Sequence, residues 1–376
     1  MQFRDLKQQY KVLKKEIDIA MECVATEGNY ISGAQVRELE VELAKYVGVK
    51  HCITCANGTD ALSIAMMAWD IKEGDAVFVP DFTFFASGEI VSHCGATPIF
   101  VDVNEDSFNI CVESLENAIK QVIDEGKLVP KVIIAVDLFG LPADFDKIKD
   151  IAKKYNLLVL EDGAQGFGGE INGRKACSFG DIATTSFFPA KPLGCYGDGG
   201  AIFTNSDELA ELMRSICVHG KGTMKYDNVR IGVNSRLDTL QAAILLIKLK
   251  AFIEYEVDSV NAVATKYSDI LGTVAKTPII PDGFKSSWAQ YTLQLENEDV
   301  RNGLQLALKE KGIPTMVYYP KPMHKQKAFE IENEYQFKCD VTEKLCKTVL
   351  SLPMHPYLDD DDITEITNAI KDYIKR

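Results

Sequence analysis

The chain has 376 residues, and its 41 lysines and arginines against 55 aspartates and glutamates give a net charge of −14. This acidic balance, which no basic block offsets, argues against a nucleic acid as the main partner. No stretch approaches 18 uninterrupted apolar residues, and the opening MQFRDLKQQY lacks the apolar core of a signal peptide. We therefore expect no membrane span, a cytoplasmic protein, and ten reduced, mostly buried cysteines.

The first 205 residues follow the pattern of an α/β domain. Apolar residues recur every three or four positions over residues 1–24 and again over 36–46, which predicts two amphipathic helices. Seven short apolar runs follow, most of them continuous, as in strands that are buried on both faces. They are HCITCA, DAVFVP, ATPIFVDV, KVIIAVDL, LLVLED, ATTSFF and GGAIFTN, with helices such as DALSIAMMAW and FDKIKDIAKKY between them. The pattern predicts a mostly parallel central sheet flanked by helices.

The later residues predict a smaller α+β domain. A long helical region spans roughly residues 236–262, and a short strand (QYTLQL), a helix (VRNGLQLALKEKG) and a closing helix follow it. Four aspartates at 359–362 precede the closing helix, where acidic side chains favour the positive end of the helix dipole, and we prefer this role to a metal site. We expect a large domain over residues 1–250 and a small C-terminal domain over 251–376.

Several predicted strands end in residues that carry chemical functions, and open α/β sheets bind ligands at that edge. Residues 57–59 (Asn-Gly-Thr) lead from the first strand into a helix, whose free N–H groups favour a phosphate. Asp162 ends a second strand, Ser186 and Lys191 follow a third, and the rings of DFTFF follow a fourth. A phosphate cradle, an acid, an aromatic ring and a lysine on a loop of prolines and glycines together suit pyridoxal 5′-phosphate.

Five motifs carry a resemblance to a known family. GTDAL, DFTFFAS, EDGAQ, SFFPAKPLGCYGDGGAI and GVNSRLDTLQAAIL occur in this order, and S-F-x-x-x-K-x-x-G-x-x-G-D-G-G is a highly specific run. With them the sequence resembles the nucleotide-sugar aminotransferases of the DegT/DnrJ/EryC1/StrS family, from FRDLKQQY to SLPMHPYL. The resemblance implies the fold-type I architecture of pyridoxal-phosphate aminotransferases and a homodimer whose subunits share their active sites.

The resemblance also implies roles for individual residues. Lys191 would be the catalytic lysine that forms a Schiff base with the cofactor and moves the proton, and Asp162 would hold the ring nitrogen. Ala164 and Phe84 would lie on the two faces of the ring, and Gln165 would reach the region of the 3-hydroxyl group. The phosphate would be held by Thr59, the amide of Asp60, Ser186 and, reaching across from the partner subunit, Asn234.

The implied reaction is a transamination in two halves. L-Glutamate would give its amine to the cofactor and leave as 2-oxoglutarate, and a nucleotide-linked keto sugar would then take the amine. The motifs are especially similar to the branch that aminates C3 of a UDP-linked 2-acetamido-3-keto hexuronic acid, and the product would feed a bacterial surface glycan such as lipopolysaccharide. In that branch the positions that line the sugar-nucleotide site match Gly28, Tyr30, Ala190, Arg236, Tyr318 and Tyr319.

The sequence departs from these patterns in places, and some residues keep two interpretations. Gly163 replaces the first alanine of the common EDAAQ, a change that we expect to leave the cofactor contacts intact. Tyr318 stands where the branch has a histidine, so a 4-keto-6-deoxy sugar or a non-uronic 3-keto sugar is the alternative substrate. Arg236 would pair with the sugar carboxylate or form a structural ion pair. His324 lies on a loop that approaches the site in this family, and a structural role suits it equally.

Other functional classes fit less well. No G-x-G-x-x-G follows the first strand, as an NAD enzyme would require, and related sugar dehydratases have a histidine in place of Lys191. A non-enzymatic regulator that binds a sugar nucleotide would not need the intact lysine and acid. Residues 102–113 match a calcium loop at four positions, but a serine replaces its glycine and a strand precedes it. The C-x-x-C of Cys52 and Cys55 lies on a predicted strand without a second pair, so we assign it a structural role.

Overall fold

A computed structural model of the protein describes residues 1–224, 226–330 and 337–375. The strands, in chain order, are β1 (His51–Cys55), β2 (Asp75–Pro80), β3 (Thr97–Val101), β4 (Val129–Val136), β5 (Leu158–Asp162), β6 (Glu170–Ile171), β7 (Arg174–Lys175), β8 (Ile182–Ser186), β9 (Gly200–Thr204), β10 (Phe284–Lys285), β11 (Tyr291–Gln294) and β12 (Val349–Leu352).

The α-helices, in the same order, are α1 (Leu6–Glu27), α2 (Ala34–Val47), α3 (Gly58–Ala68), α4 (Ala86–His93), α5 (Val112–Glu125), α6 (Phe145–Tyr155), α7 (Asp207–Ile216), α8 (Thr239–Ala251), α9 (Val257–Leu271), α10 (Glu298–Glu310), α11 (Asp340–Thr348) and α12 (Asp360–Ile374). Among the described residues, none of these helices has the length and the apolar character needed to cross a membrane.

A seven-stranded sheet forms the centre of the molecule, in the order β1-β9-β8-β5-β4-β2-β3. All of its strands except β9 point the same way, which confirms the predicted mostly parallel sheet. Apolar side chains of α3, α4 and α7 pack on one face, and those of α5 and α6 pack on the other. The strands are therefore buried on both sides, as their continuous apolar runs indicated. The carboxyl ends of the six strands that point the same way lie along one edge, where the predicted site residues begin.

The later residues build a separate apolar core around the antiparallel pair β11 and β12, with α9, α10 and α12 packed against it. The long helical region starts at residue 239 rather than 236 and continues to 271, because α8 passes through a π-helical turn (Phe252–Glu256) directly into α9. The proposed domain boundary at 250/251 falls inside this continuous run, and it stays a prediction.

Two further predictions concern the aspartates before α12 and the pair Cys52 and Cys55. Asp359 caps α12 by accepting a hydrogen bond from the N–H of Asp362 at 2.8 Å, which confirms the role of the four aspartates. Cys52 and Cys55 are both buried in β1.

A small three-stranded sheet, in the order β10-β6-β7, was not predicted. Its two-residue strands are too short to give a periodic signal in the sequence.

Candidate active site

The loop that carries Lys191 is fixed by hydrogen bonds at both of its ends. The N–H of Phe187 donates to Gly199 O, and the N–H of Cys195 donates to Phe187 O, each at 2.7 Å. Gly194 is required inside the loop because a Cβ there would lie 2.4 Å from the carbonyl oxygen of Pro189. The main-chain N–H of Lys191 donates to Phe188 O at 2.8 Å. The prolines and glycines therefore hold a compact turn that presents one lysine.

Two cationic side chains, those of Arg4 and Lys248, stabilise this loop by donating hydrogen bonds to its carbonyl oxygens. The guanidinium of Arg4 donates a hydrogen bond to Pro192 O at 3.1 Å, and the ammonium of Lys248 donates to Gly194 O. Burial lowers the pKa of Lys191; the charge of Asp162 opposes this shift, and the charge of Arg4 adds to it. The lysine is thus closer to its neutral form, which a nucleophile or a general base requires.

Asp162 lies at the end of β5 with its two oxygens held by different donors. Ser87 Oγ donates to Asp162 Oδ2 at 2.8 Å, and the N–H of Ala164 donates to Asp162 Oδ1 at 3.2 Å. Burial raises the pKa of Asp162, while these hydrogen bonds and the charge of Lys191 lower it. A cationic group placed beside this carboxyl would favour its ionised form. Ser87 was not among the predicted site residues, although its position as the second residue of the helix after DFTFF was a usable signal.

Gln165, three residues after Asp162, forms hydrogen bonds with residues of an aromatic cluster. Its Oε1 accepts a hydrogen bond from the N–H of Phe139 at 2.6 Å, and its Nε2 donates to the hydroxyl of Tyr319 at 3.0 Å. The ring of Tyr319 lies 6.1 Å from that of Phe82 and 6.4 Å from that of Phe84. Phe84 is 55% exposed at this edge of the sheet, so its ring remains free to cover a ligand.

Two glycines and a serine, Gly58, Gly200 and Ser186, shape a narrow cradle where β1 meets α3. A Cβ on Gly58 would lie 2.7 Å from the Cβ of Ser186, and a Cβ on Gly200 would lie 2.5 Å from the carbonyl oxygen of Asn57. Ser186, at the end of β8, is thus in direct contact with the first turn of α3, which also carries Thr59. The N–H of Asp60 donates to Asn57 Oδ1 at 2.8 Å. A phosphate held by that amide would have to replace this cap, so the role of Asp60 stays a prediction.

Gly163, the departure from the common EDAAQ, has a local cause. A Cβ at this position would lie 2.5 Å from Cys177 Sγ and 3.0 Å from the carbonyl oxygen of Thr184. The buried thiol of Cys177 fills the space that an alanine would occupy. The main-chain N–H of Gly163 donates to the same Thr184 carbonyl at 2.9 Å, so the backbone stays in register between Asp162 and Ala164.

Two further buried acids, Asp137 and Glu161, lie next to the turn that contains Gly163. Glu161 accepts hydrogen bonds from the N–H groups of Cys177, Phe179 and Gly180, which favours its ionised form. Burial and the charge of Glu161 raise the pKa of Asp137. Asp137 Oδ2 has no hydrogen-bonding partner within the described part of the chain. We infer that Asp137 keeps a proton, so that the pair carries a single negative charge.

The predicted substrate-binding residues fall into two groups. Tyr319 is joined to the cofactor edge through Gln165, and the ring of Tyr318 lies 6.2 Å from that of Phe3. Ala190 is exposed beside Lys191. The second group stands apart from Lys191: within the described ranges no hydrogen bond or ion pair links it to that loop. It comprises Gly28, which ends α1, Tyr30, whose carbonyl accepts from the N–H of Thr239, and the loop residues Asn234 and Arg236.

The donor set at this edge fits pyridoxal phosphate. A lysine with a lowered pKa, a buried carboxyl, an exposed ring and a helix N-terminus crowded by glycines are the kinds of group that bind its aldehyde, ring nitrogen, ring face and phosphate. The residues that would hold the cofactor are Thr59, Phe84, Asp162, Ala164, Gln165, Ser186 and Lys191.

Comparisons with known proteins identify a family of aminotransferases. The model of the DegT/DnrJ/EryC1/StrS aminotransferase family matches residues 11–371. UDP-2-acetamido-2-deoxy-3-oxo-D-glucuronate aminotransferase from Pseudomonas aeruginosa is 47% identical over 98% of this chain and 99% of its own length. A pleiotropic regulatory protein from Geobacillus stearothermophilus is 40% identical over 99% of this chain and 98% of its own. UDP-N-acetyl-3-dehydro-α-D-glucosamine 3-aminotransferase from Acidithiobacillus ferrooxidans is 39% identical over 98% and 96% of the two chains.

Solved structures show the same relationship. A DegT DnrJ EryC1 StrS aminotransferase from Brucella abortus superposes with a TM-score of 0.97 at 48% identity, covering all of both chains. NtdA from Bacillus subtilis, solved with its cofactor PMP bound, has a TM-score of 0.89 at 29% identity over 97% of this chain and 82% of its own. The protein thus has fold type I, uses pyridoxal phosphate as its cofactor and is a sugar aminotransferase. The chain belongs to the DegT/DnrJ/EryC1/StrS aminotransferase family.

Proposed function

We propose that the protein transfers the amine of L-glutamate to C3 of a UDP-linked 2-acetamido-3-keto hexuronic acid. The observation that carries the sugar assignment is the 47% identity, over 98% of the chain, with the Pseudomonas aeruginosa enzyme named for such a substrate. The cofactor supplies an electron-accepting ring and stores the amine between the two half-reactions. We expect this chemistry in the cytoplasm, where the product would feed a surface polysaccharide.

Lys191 is the residue that moves the proton. A general base has to be neutral near the working pH, whereas an ordinary lysine is protonated there. Burial, opposed by Asp162 and aided by Arg4, lowers the pKa of Lys191 and brings it towards that state. In the first half-reaction its Nζ takes the proton from the α-carbon of L-glutamate, and in the second it delivers a proton to C3 of the sugar.

Asp162 orients the ring and keeps its nitrogen protonated. Its two oxygens have fixed directions because Ser87 and Ala164 each donate to one of them. Burial makes an isolated charge on Asp162 costly, so a protonated nitrogen beside it is favoured as its counter-charge. Phe84 and Ala164 would lie on the two faces of the cofactor ring and limit its movement.

The sugar carboxylate is assigned to Arg236, since a guanidinium forms paired hydrogen bonds with a carboxylate. Arg236 lines an open depression of about 980 Å³ together with Lys221 and Arg230. This concentration of positive charge in an acidic protein supports a binding surface for an anionic sugar nucleotide. Tyr318 in place of the expected histidine, and the 39% identical non-uronic relative, favour a non-uronic 3-keto sugar as the second candidate.

A homodimer with shared sites accounts for the second group of predicted residues. The segment before Asn234 exposes three large apolar side chains, Met224, Val229 and Ile231, to 71%, 55% and 88%. Apolar groups exposed together in this way commonly belong to an interface between chains. We infer that this segment docks on a partner subunit, which would bring Asn234 and Arg236 to the partner's lysine.

The first test is the absorbance spectrum of the holoenzyme before and after the addition of L-glutamate alone. We expect the band of the bound pyridoxal form to fall while that of the pyridoxamine form grows. A UDP-linked 3-keto hexuronate, a non-uronic 3-keto sugar and a 4-keto-6-deoxy sugar are then added in parallel, and the sugar that restores the first band is the acceptor. A spectrum that ignores L-glutamate would refute the donor and favour the non-enzymatic role suggested by the name of the 40% identical relative.

Two variants make the residue assignments separable. Lys191→Ala should abolish both spectral changes, whereas Lys7→Ala, at an exposed lysine of α1, should retain them. Arg236→Gln should raise KM for the uronic sugar and leave the half-reaction with L-glutamate unchanged. An equal loss on uronic and non-uronic sugars would contradict the pairing of Arg236 with the carboxylate.

A further inference from the structure

A buried acid–histidine pair joins two segments that are far apart in sequence. Asp81 follows β2 directly and is fully buried. The main-chain N–H of His324 donates to Asp81 Oδ1 at 2.8 Å, and its ring Nδ1 lies 2.7 Å from Asp81 Oδ2. The N–H of Met323 donates to the carbonyl oxygen of Asp81 at 3.0 Å. Three hydrogen bonds therefore fix the segment around His324 to the end of β2.

Both of the joined segments lead directly into the active site. Asp81 is followed by Phe82 and, two residues later, by Phe84. His324 is preceded by Tyr319, whose ring contacts both of these phenylalanines and whose hydroxyl accepts from Gln165. The Asp81–His324 pair therefore joins the two segments that meet where Phe84, whose ring would cover the cofactor, contacts Tyr319 of the sugar site.

Other charged and titratable groups face the pair from neighbouring elements. On α11, Glu343 places Oε1 3.6 Å from His324 Nε2 and also binds Lys325 at 2.7 Å. The hydrogen bond with Asp81 raises the pKa of His324 above its ordinary value of 6.5, although burial and Lys325 oppose the shift. The remaining neighbours are Cys339 and Cys346 around α11 and Asp102 after β3, whose oxygens already accept hydrogen bonds from the start of α11.

The same atoms have the spacing of metal ligands, since donor atoms of Asp81, His324 and Cys339 lie within 4.8 Å of one another. The hydrogen bonds argue for a different role. Both oxygens of Asp81 are already taken by His324, one by its main-chain N–H and one by its ring. Burial and the charges of Asp81 and Asp102 raise the pKa of Cys339, which keeps the thiol protonated and a poor ligand.

We propose that the Asp81–His324 ion pair is a positioning device that holds the segment from Tyr318 to His324 in place for the nucleotide sugar, and that binding weakens when His324 loses its proton. This inference rests on the proposed function only in that Tyr318 and Tyr319 line the sugar site. A charge-assisted hydrogen bond is roughly twice as strong as a neutral one. A neutral His324 would therefore still bind Asp81, but less firmly.

The direction of the pH effect follows from the sign of the shift. The charge-assisted pairing is complete while His324 is protonated, below its ordinary pKa, and it weakens to a neutral hydrogen bond as the pH rises through the higher pKa of His324 in the folded protein. We expect the affinity for the nucleotide sugar to fall as the pH rises through this range, because the segment that carries Tyr318 and Tyr319 is then held less firmly.

The titration can be measured directly by NMR, because the chain has only five histidines. Burial lowers the pKa of His355 to about 4, so its signal should stay constant above pH 5. His324→Gln identifies the signal of His324, and Asp81→Asn should move its midpoint down towards 6.5. The control is His51→Gln, which removes an exposed histidine bound to Asp207 at 2.7 Å and should leave the His324 titration unchanged. A His324 midpoint that ignores Asp81→Asn would refute the ion pair.

The binding role is tested by calorimetry on the holoenzyme between pH 6 and 9. The probes are UDP and the UDP-linked 3-amino hexuronate product, so that a wrong sugar assignment appears as loss of product binding alone. In the wild type and His51→Gln, affinity should fall as the pH rises. In Asp81→Asn and His324→Gln it should be weak and nearly independent of pH.

Wild-type affinities in Asp81→Asn and His324→Gln, with only a lower Tm, would reduce the pair to a structural role. Stoichiometric zinc, with binding abolished by a chelator, would assign the cluster to a metal and overturn the proposal.

Discussion

Replacing Gly163 with alanine tests whether Cys177 compensates for the departure from the common motif. The added Cβ would lie 2.5 Å from Cys177 Sγ, well inside van der Waals contact, and the fully buried thiol has no free volume to enter. Overpacking of this kind costs about 1–3 kcal/mol. Because Gly163 does not have a left-handed conformation, the alanine also restricts the unfolded chain and returns about 0.4–1 kcal/mol.

The net effect should be a loss of up to about 2.6 kcal/mol. Because unfolding entropy is about 2.1 cal/mol/K per residue, or about 0.8 kcal/mol/K for 376 residues, this corresponds to a Tm lower by up to roughly 3 °C. In the background Cys177→Ala, where the obstructing sulfur is absent, Gly163→Ala should cost less, with the 3.0 Å approach to the Thr184 carbonyl oxygen as the remaining tight contact. Thermal unfolding of the four proteins measures this coupling. Gly197→Ala serves as the control, since its Cβ would meet only the flexible amide of Gln241, at 3.2 Å. Equal losses in both backgrounds would show that Cys177 does not set the space at this position.

Three further outcomes follow from the charges around the site. Ser87→Ala removes a donor to Asp162, and because hydrogen bonds to charged groups contribute about 1.5–3 kcal/mol, cofactor affinity should fall at least tenfold; an unchanged Kd would exclude this orienting role. Asp137, whose pKa is raised, keeps a proton that the unfolded chain releases, so stability should decline as the pH rises above 4; Asp137→Asn should flatten this slope in melts from pH 4 to 9, and an unchanged slope would contradict the protonated pair. Arg4→Met should raise the pKa of Lys191 and move the acid limb of the kcat profile to higher pH, whereas Arg4→Lys should not; matching profiles would remove Arg4 from this role.

The sheet could be predicted because its strands are continuous apolar runs of five to eight residues, each buried on both faces. The lysine loop could be recognised in part because Gly194 is required by its contacts with Phe188 and Pro189, a few residues earlier, and such contacts leave a local pattern. The strands β6, β7 and β10 could not be predicted, since two residues carry no period and pairing across 110 residues leaves no trace in a single sequence.

The same reasoning explains which site residues were missed. Ser87 lies in the motif DFTFFAS but contacts Asp162, 75 residues away. Arg4 reaches Pro192 over 188 residues, and Asp81 reaches His324 over 243. Each partner is an ordinary polar residue in its own segment, and only the folded chain makes the pair. His324 therefore had two equal interpretations in the sequence, which its contact with Asp81 distinguishes.

The net charge of −14 gives no sign of the positive charge that the fold concentrates at the site. The fold collects three cations at one short loop: Lys191 is part of the loop, and Lys248 and Arg4 donate to its carbonyl oxygens. Burial lowers the pKa of each, to about 8 for Lys248 and to about 10 for Arg4. Glu256 opposes the shifts of Lys248 and Arg4 but is not among the groups acting on Lys191. An excess of positive charge held out of water attracts anions and disfavours a further proton. The arrangement that draws a phosphate or a carboxylate to this edge is therefore the one that keeps Lys191 ready to accept the proton.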